Sequence, residues 1–170
     1  MTTRARSGEG VPGSPQDRAT DKTTAPEPAA GRFDGQAFVF PLRVYYEDTD
    51  FSGVVYHASY LRFMERGRSE FLRAADAPHQ AMLDGEPPLF WAVRRMTIDF
   101  VKPARVDEAL HVRTKALELA GARLRLDQAV CRAADILVKA DVEVCVVTRD
   151  GRPRRVPELV RRKLQSFVQS

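Results

Sequence analysis

Three acids, Glu47, Asp48 and Asp50, crowd into four consecutive positions, and His57 follows a few residues later. Gly53 lies between them and can take backbone angles closed to other residues. The residues before this stretch alternate like a strand, and those after it carry a helical stripe. The acids therefore fall at a strand-to-helix junction. A helix start leaves free amide N–H groups that carry partial positive charge. Such amides can hold a thioester carbonyl oxygen and stabilise it as negative charge develops. A carboxylate on the preceding loop could attack the carbonyl carbon or activate water. On residue types alone a plainer reading stays open: Asp48 and Asp50 shape the turn, and Ser59 or Asp50 caps the helix.

Other chemistries fit less well. Asp48-Thr49-Asp50-Phe51-Ser52-Gly53 matches the opening of a calcium loop. The position that needs a bidentate Glu holds Ser59, and the preceding element reads as a strand where a helix is required. No Gly-x-Ser-x-Gly elbow and no phosphate-binding glycine pattern is present. Cys131 and Cys145 lie far along the chain in apolar, β-rich stretches and read as small core residues. His79 and His111 have no local partner that suggests chemistry. No metal site and no cofactor is expected.

The elements that must position the junction follow from periodicity. Val39, Leu42, Val44 and Tyr46 alternate as a first strand. A helix is predicted from about Ala58 to Ala75, with the stripe Tyr60, Met64, Gly67, Phe71, Ala75 and with Phe63 and Leu72 beside it. Pro78 and the Asp84–Pro88 stretch mark a loop. Strands are predicted over Phe90–Val101, around Leu110–Thr114, over Leu124–Val130 and over Val138–Val146, with a turn at Ala133–Asp135. Pro157 opens a short basic helix through about Phe167. Consecutive strands with one-face alternation imply an antiparallel sheet, and one striped helix must cover it. The fold class is therefore α+β in two layers.

The chain of 170 residues suits one domain, and 44% hydrophobic content allows a sizeable core. Residues 1–37 are rich in Thr, Gly, Pro, Ala and charge and are expected to form a disordered tail, with residues 38–170 as the domain. No apolar run approaches the roughly 20 residues of a membrane span. No signal peptide is visible, and two unclustered cysteines suit a reducing compartment, so a cytoplasmic location is expected. The net charge of +4 arises beyond residue 37, much of it between Arg149 and Lys163. A basic patch attracts polyanions, but no aromatic-interleaved basic motif argues for nucleic acid.

The segment Val44-Tyr45-Tyr46-Glu47-Asp48-Thr49-Asp50-x-x-Gly53-Val54-Val55-Tyr56-His57-x-x-Tyr60, followed by Phe63-Met64-Glu65-Arg66-x-Arg68, resembles the 4-hydroxybenzoyl-CoA thioesterase family of hotdog-fold proteins. Its Tol-Pal-associated acyl-CoA thioesterase branch (YbgC type) is the most similar. The resemblance runs on through Val93–Phe100, Pro103-Ala104-Arg105 and the Val-rich last strand, covering roughly residues 38–160. It implies a hotdog: an antiparallel sheet wrapped around one long central helix. It also implies a homodimer or homotetramer, with active sites at the dimer interface. Position by position, the family's catalytic carboxylate falls on Asp50, as nucleophile or general base. Its carbonyl-polarising amide falls on His57, whose side chain is a second candidate. Tyr56 is expected to line the pocket, with Gly53, Glu65 and Arg68 as further substrate-binding candidates. For Glu65 and Arg68 an ion pair is an equal alternative. Ser52 stands where close relatives often have Gly.

The expected activity is hydrolysis of acyl-CoA thioesters, with acyl carrier protein as an alternative carrier. Basic side chains at the mouth of the site are the expected partners of the coenzyme A phosphates. The alternative function is a non-catalytic scaffold that binds acyl groups or acyl carrier protein. A dehydratase would need a helix-borne acid or a differently set Asp/His pair.

Overall fold

The computed structural model describes residues 28–168. Six strands form one antiparallel sheet: β1 (Arg32–Asp34), β2 (Ala37–Arg43), β3 (Phe90–Phe100), β4 (Ala109–Ala120), β5 (Arg123–Arg132) and β6 (Asp135–Val147). Their order is β1-β2-β4-β5-β6-β3, so β3 ends the sheet and its outer edge has no partner strand among the described residues. The long helix α1 (His57–Ala74) packs across β2, β4 and β5. Two short helices, α2 (His79–Leu83) and α3 (Glu158–Gln165), complete the domain. This is the expected hotdog.

The core forms where the two periodicities meet. Every member of the predicted α1 stripe is buried: Tyr60, Phe63, Met64, Gly67, Phe71, Leu72 and Ala75. Opposite them, Leu110, Val112 and Ala116 of β4, Leu124, Leu126 and Val130 of β5, and the alternating valines of β6 present the inner face. The closest approach of helix and sheet is at Gly67. A Cβ built there would lie 2.7 Å from Cγ1 and 3.0 Å from Cβ of Val112. Val112 is β-branched, in a central strand and fully buried, so it cannot swing away. Gly67→Ala is therefore expected to destabilise the fold. Overpacking costs about 1–3 kcal/mol, more than the roughly 1 kcal/mol that Ala gains over Gly as a helix former. A lower denaturation midpoint at unchanged slope would show it.

Three details differ from the sequence reading. Tyr46 does not continue the first strand. β2 ends at Arg43, and a single 3₁₀ turn, Tyr46–Asp48, follows. Asp48 causes this turn: its buried carboxylate accepts the Tyr45 N–H at 2.9 Å, while its own N–H donates to the Tyr45 carbonyl at 3.0 Å. Second, the loop after α1 contains α2. Third, the structured domain reaches back past residue 38. Phe33 of β1 stacks on Phe167 at 4.4 Å and packs edge-on against Phe38 and Phe71. One aromatic ring docked on an apolar cluster holds a segment whose average composition reads as tail. Residues 1–27 of that expected tail lie outside the described residues.

Candidate active site

The stretch from Asp48 to Tyr56 is folded back on itself by its own main chain. The Tyr56 N–H donates to the Asp48 carbonyl at 2.9 Å, Thr49 and Val55 form an antiparallel bridge, and the Asp50 N–H donates to the Val54 carbonyl at 3.0 Å. The Gly53 N–H closes the turn on the Asp50 carbonyl, also at 3.0 Å. Gly53 has φ +75°, the left-handed region that favours glycine. This small hairpin brings the chain around Asp50 beside the entry to α1. A further bond, from the Val55 N–H to the Ala104 carbonyl at 2.9 Å, fastens it to the segment after β3.

The Asp50 carboxylate accepts both the N–H (2.8 Å) and the hydroxyl of Ser52. The Ser52 hydroxyl, and then its amide, hold the Asp50 carboxyl below the usual carboxylate range. Neither Asp50 nor Ser59 caps α1. The N-cap position is Tyr56, with no side-chain cap bond. Ser59 is buried, donates its N–H to the Tyr56 carbonyl at 2.8 Å and accepts from Arg62 at 3.1 Å. The His57 and Ala58 amides, at the first two helical positions, thus have no acceptor among the described residues. Leaving a helix start uncapped forgoes about 1 kcal/mol. It keeps two N–H donors, at the positive end of an 18-residue helix, available to a ligand oxygen.

Beside these amides opens a groove of about 300 Å³, lined by Val55, His57, Tyr60, Phe100, Val101 and Lys102 with Pro103. The His57 ring packs on Tyr56 at 4.3 Å and meets the Phe100 edge at 6.4 Å. The Tyr60 hydroxyl accepts the Ala104 N–H at 2.9 Å and so ties the groove's far wall to α1. Phe100, Val101, Lys102 and Pro103 were missed as site residues, because they follow His57 by more than forty positions and meet it only through the fold.

Asp50, Gly53, Tyr56 and His57 thus share one junction, but only His57 lines the groove, and Tyr56, expected to line it, does not; Glu65 and Arg68 lie elsewhere. They are on α1 about 12 and 16 Å along its axis from His57, at 1.5 Å per residue. Arg68 is only 6% exposed. It donates to Gln128 Oε1 at 2.7 Å and pairs with Glu65. Gln128 passes the network on to Thr114 Oγ1 at 2.8 Å and the Met64 carbonyl at 3.1 Å. Glu65 and Arg68 border a cavity of about 30 Å³ that Trp91 also lines, and the Trp91 Nε1–H has no acceptor among the described residues. Phe51, fully exposed at the hairpin tip, borders neither cavity.

Other candidate chemistry finds no support. Both cysteines are unpaired and buried, and burial pushes the Cys131 thiol up, away from the reactive thiolate. Among the described residues no group of three His, Cys, Asp or Glu side chains could hold a metal ion, and no helix is long and apolar enough to cross a membrane. A larger recess of about 530 Å³ on the outer sheet face is lined by Arg95, Arg123, Arg125, Glu118, Asp141 and Glu143, largely paired with one another. It is a solvated charged surface without an oriented nucleophile.

Comparison with known proteins agrees with this fold. The family profile described as "Thioesterase superfamily" matches residues 52–139. The chain is 42% identical over 125 residues to "Acyl-CoA thioesterase YbgC" of Haemophilus influenzae, covering 73% of this chain and 91% of that protein. It is 40% identical over 126 residues to "Acyl-CoA thioester hydrolase YbgC" of Escherichia coli, covering 72% and 92%. A solved structure, the probable thioesterase from Bartonella henselae, superposes with a TM-score of 0.68 at 45% identity, covering 70% of this chain and 98% of that one.

Proposed function

This chain belongs to the thioesterase superfamily, and we infer that it hydrolyses acyl-coenzyme A thioesters to the free acid and coenzyme A, with Asp50 as the working carboxylate. The observation that carries the assignment of Asp50 is the uncapped start of α1, joined by a main-chain hairpin to the loop that bears this carboxylate. The thioester carbonyl oxygen accepts from the His57 amide, which draws electrons from the carbonyl carbon and stabilises the oxyanion that forms. Asp50 either attacks that carbon or takes the proton of an attacking water; in both cases the C–S bond breaks and coenzyme A leaves as thiolate. One turnover in heavy-oxygen water tests the covalent route, since label in the enzyme requires it. Direct attack by water labels the free acid, whereas attack by Asp50 followed by hydrolysis at its own carboxyl carbon labels the enzyme. Val55, Tyr60, Phe100 and Val101 offer apolar walls to the acyl group. Thiol release from an acyl-CoA panel tests the function. Silence across the whole panel would overturn it.

The Ser52 bonds supply a pH signature. Asp50 works as the anion, and its folded-state pKa is lowered, so the acid limb of kcat/KM falls below the ordinary carboxylate range. Ser52→Ala removes the stronger of the two stabilising bonds. The limb is then expected to move to higher pH, leaving the rate at pH 7 nearly unchanged. A limb that stays in place would dissociate Asp50 from the pH dependence.

The active unit is proposed to be a homodimer or a pair of dimers. The open edge of β3 supports this, since an unpaired edge strand is a template for another chain. Val93 and Phe100 of that strand are exposed, and Phe100 with Val101 forms the open side of the groove. Light scattering is expected to give a mass two or four times that of the chain; a monomer with full activity would refute it. Two free buried cysteines suit the proposed cytoplasmic location. Acyl carrier protein is retained as an alternative carrier, tested by running acyl-carrier-protein thioesters beside the acyl-CoA panel.

A further inference from the structure

Residues 149–163 contain seven basic side chains (Arg149, Arg152, Arg154, Arg155, Arg161, Arg162, Lys163) and two acidic ones (Asp150, Glu158), a net of +5. The whole chain carries +4, so everything else sums to a slight negative charge. The net positive charge of this protein thus comes from one basic segment, the turn after β6 and α3.

The patch is held rigidly. Val156, Val160 and Leu164 are buried in the core. Lys163 ties α3 to the end of α1 through the Asp76 carboxylate (2.8 Å) and carbonyl (2.7 Å). Glu158 occupies Arg161 and Arg162 at 2.9 and 3.1 Å, and Asp150 occupies Arg152 at 2.9 Å. Arg149, Arg154 and Arg155 are exposed and have no carboxylate partner among the described residues. Among these cations stands Leu159, 66% exposed and one helical turn from Arg162. A lone exposed leucine is ordinary. One that shares a helix with Arg161 and Arg162, the other face of that helix being anchored in the core, combines the two properties that bind an anionic interface.

We propose that this face docks on the surface of a bilayer containing anionic phospholipid, with the arginines on headgroup phosphates and Leu159 entering the interfacial layer. Single-stranded nucleic acid would use aromatic side chains for stacking, and residues 149–163 contain none. A soluble polyanion would make no use of the exposed leucine. The patch lies at the opposite end of α1 from His57, about 27 Å away along an 18-residue helix. Within one chain, attachment therefore leaves the groove open to solvent.

The test is flotation of the full chain with vesicles of phosphatidylcholine alone and of phosphatidylcholine mixed with phosphatidylglycerol. Binding is expected only to the mixed vesicles and is expected to fade with added salt. Arg154→Gln with Arg155→Gln should weaken partitioning roughly 25-fold, at about fivefold per lost cation. Leu159→Ala, which keeps every charge, should weaken it several-fold. Both variants change exposed side chains, so unaltered melting and unaltered hydrolysis of a short-chain acyl-CoA are expected. Equal binding to both vesicle types, or wild-type flotation of the double variant, overturns the proposal. Absence of flotation at low salt also overturns it, and retention on heparin in that case assigns the patch to a soluble polyanion.

Discussion

Asp50→Asn is expected to lower kcat for acyl-CoA hydrolysis by roughly 10²–10⁴-fold, the usual contribution of a positioned base. The substitution is nearly isosteric. An amide oxygen at this position still accepts the Ser52 N–H, and the hairpin is held by main-chain bonds that do not involve the side chain. The fold, the groove and the His57 amide are therefore retained, while charge and basicity are lost. Because the removed interaction acts in the transition state, KM is expected to stay close to the wild-type value, and kcat and kcat/KM should fall together. Residual turnover reports what the helix amides supply alone. A variant with wild-type kcat would remove Asp50 from the mechanism and return it to the role of a turn residue.

The largest stability effect is expected at Phe71. Phe71→Ala should cost about 3–5 kcal/mol, a large part of the roughly 5–15 kcal/mol that keeps a domain folded. The ring is fully buried and lies 6.0 Å from Phe33, 6.2 Å from Phe38 and 6.0 Å from Phe167. These rings come from β1, β2 and the residues after α3, so one side chain of α1 joins both ends of the described chain. Chemical denaturation should show the loss directly. A destabilisation under about 1 kcal/mol would mean that the cluster collapses to fill the space, which measured series show to vary between sites.

Much of the fold was legible because its cause is local. The α1 stripe repeats every three to four residues and the β6 valines every two, and each pattern buries one face whatever it meets. The strand-to-helix junction was legible too, since three acids and a histidine in so short a span stand out by type. Their division of labour was not. Residue types left Asp48 and Asp50 equal, and the resemblance to a family separated them. The structure adds a physical difference: Asp48 is buried and spends its carboxylate on the Tyr45 amide, whereas Asp50 stays at the surface. Glu65 and Arg68 illustrate the limit. Arg68 meets Gln128 across 60 positions, and a tertiary pairing of that reach leaves no mark in local spacing. Gln128 did carry a signal, as a polar residue in phase with Leu124, Leu126 and Val130. Phe33 carried almost none, since a single ring in a polar segment gains its meaning only from the rings it touches.

The hairpin between Asp48 and Tyr56 holds its shape by carbonyl and amide groups that every residue other than proline possesses. Its tip, Phe51, touches solvent on all sides. The lettering of the tip is therefore decoupled from the placing of Asp50. Position 51 can be rewritten while the carboxylate of the preceding residue keeps its station. The tip can therefore change without rebuilding the loop that carries the carboxylate.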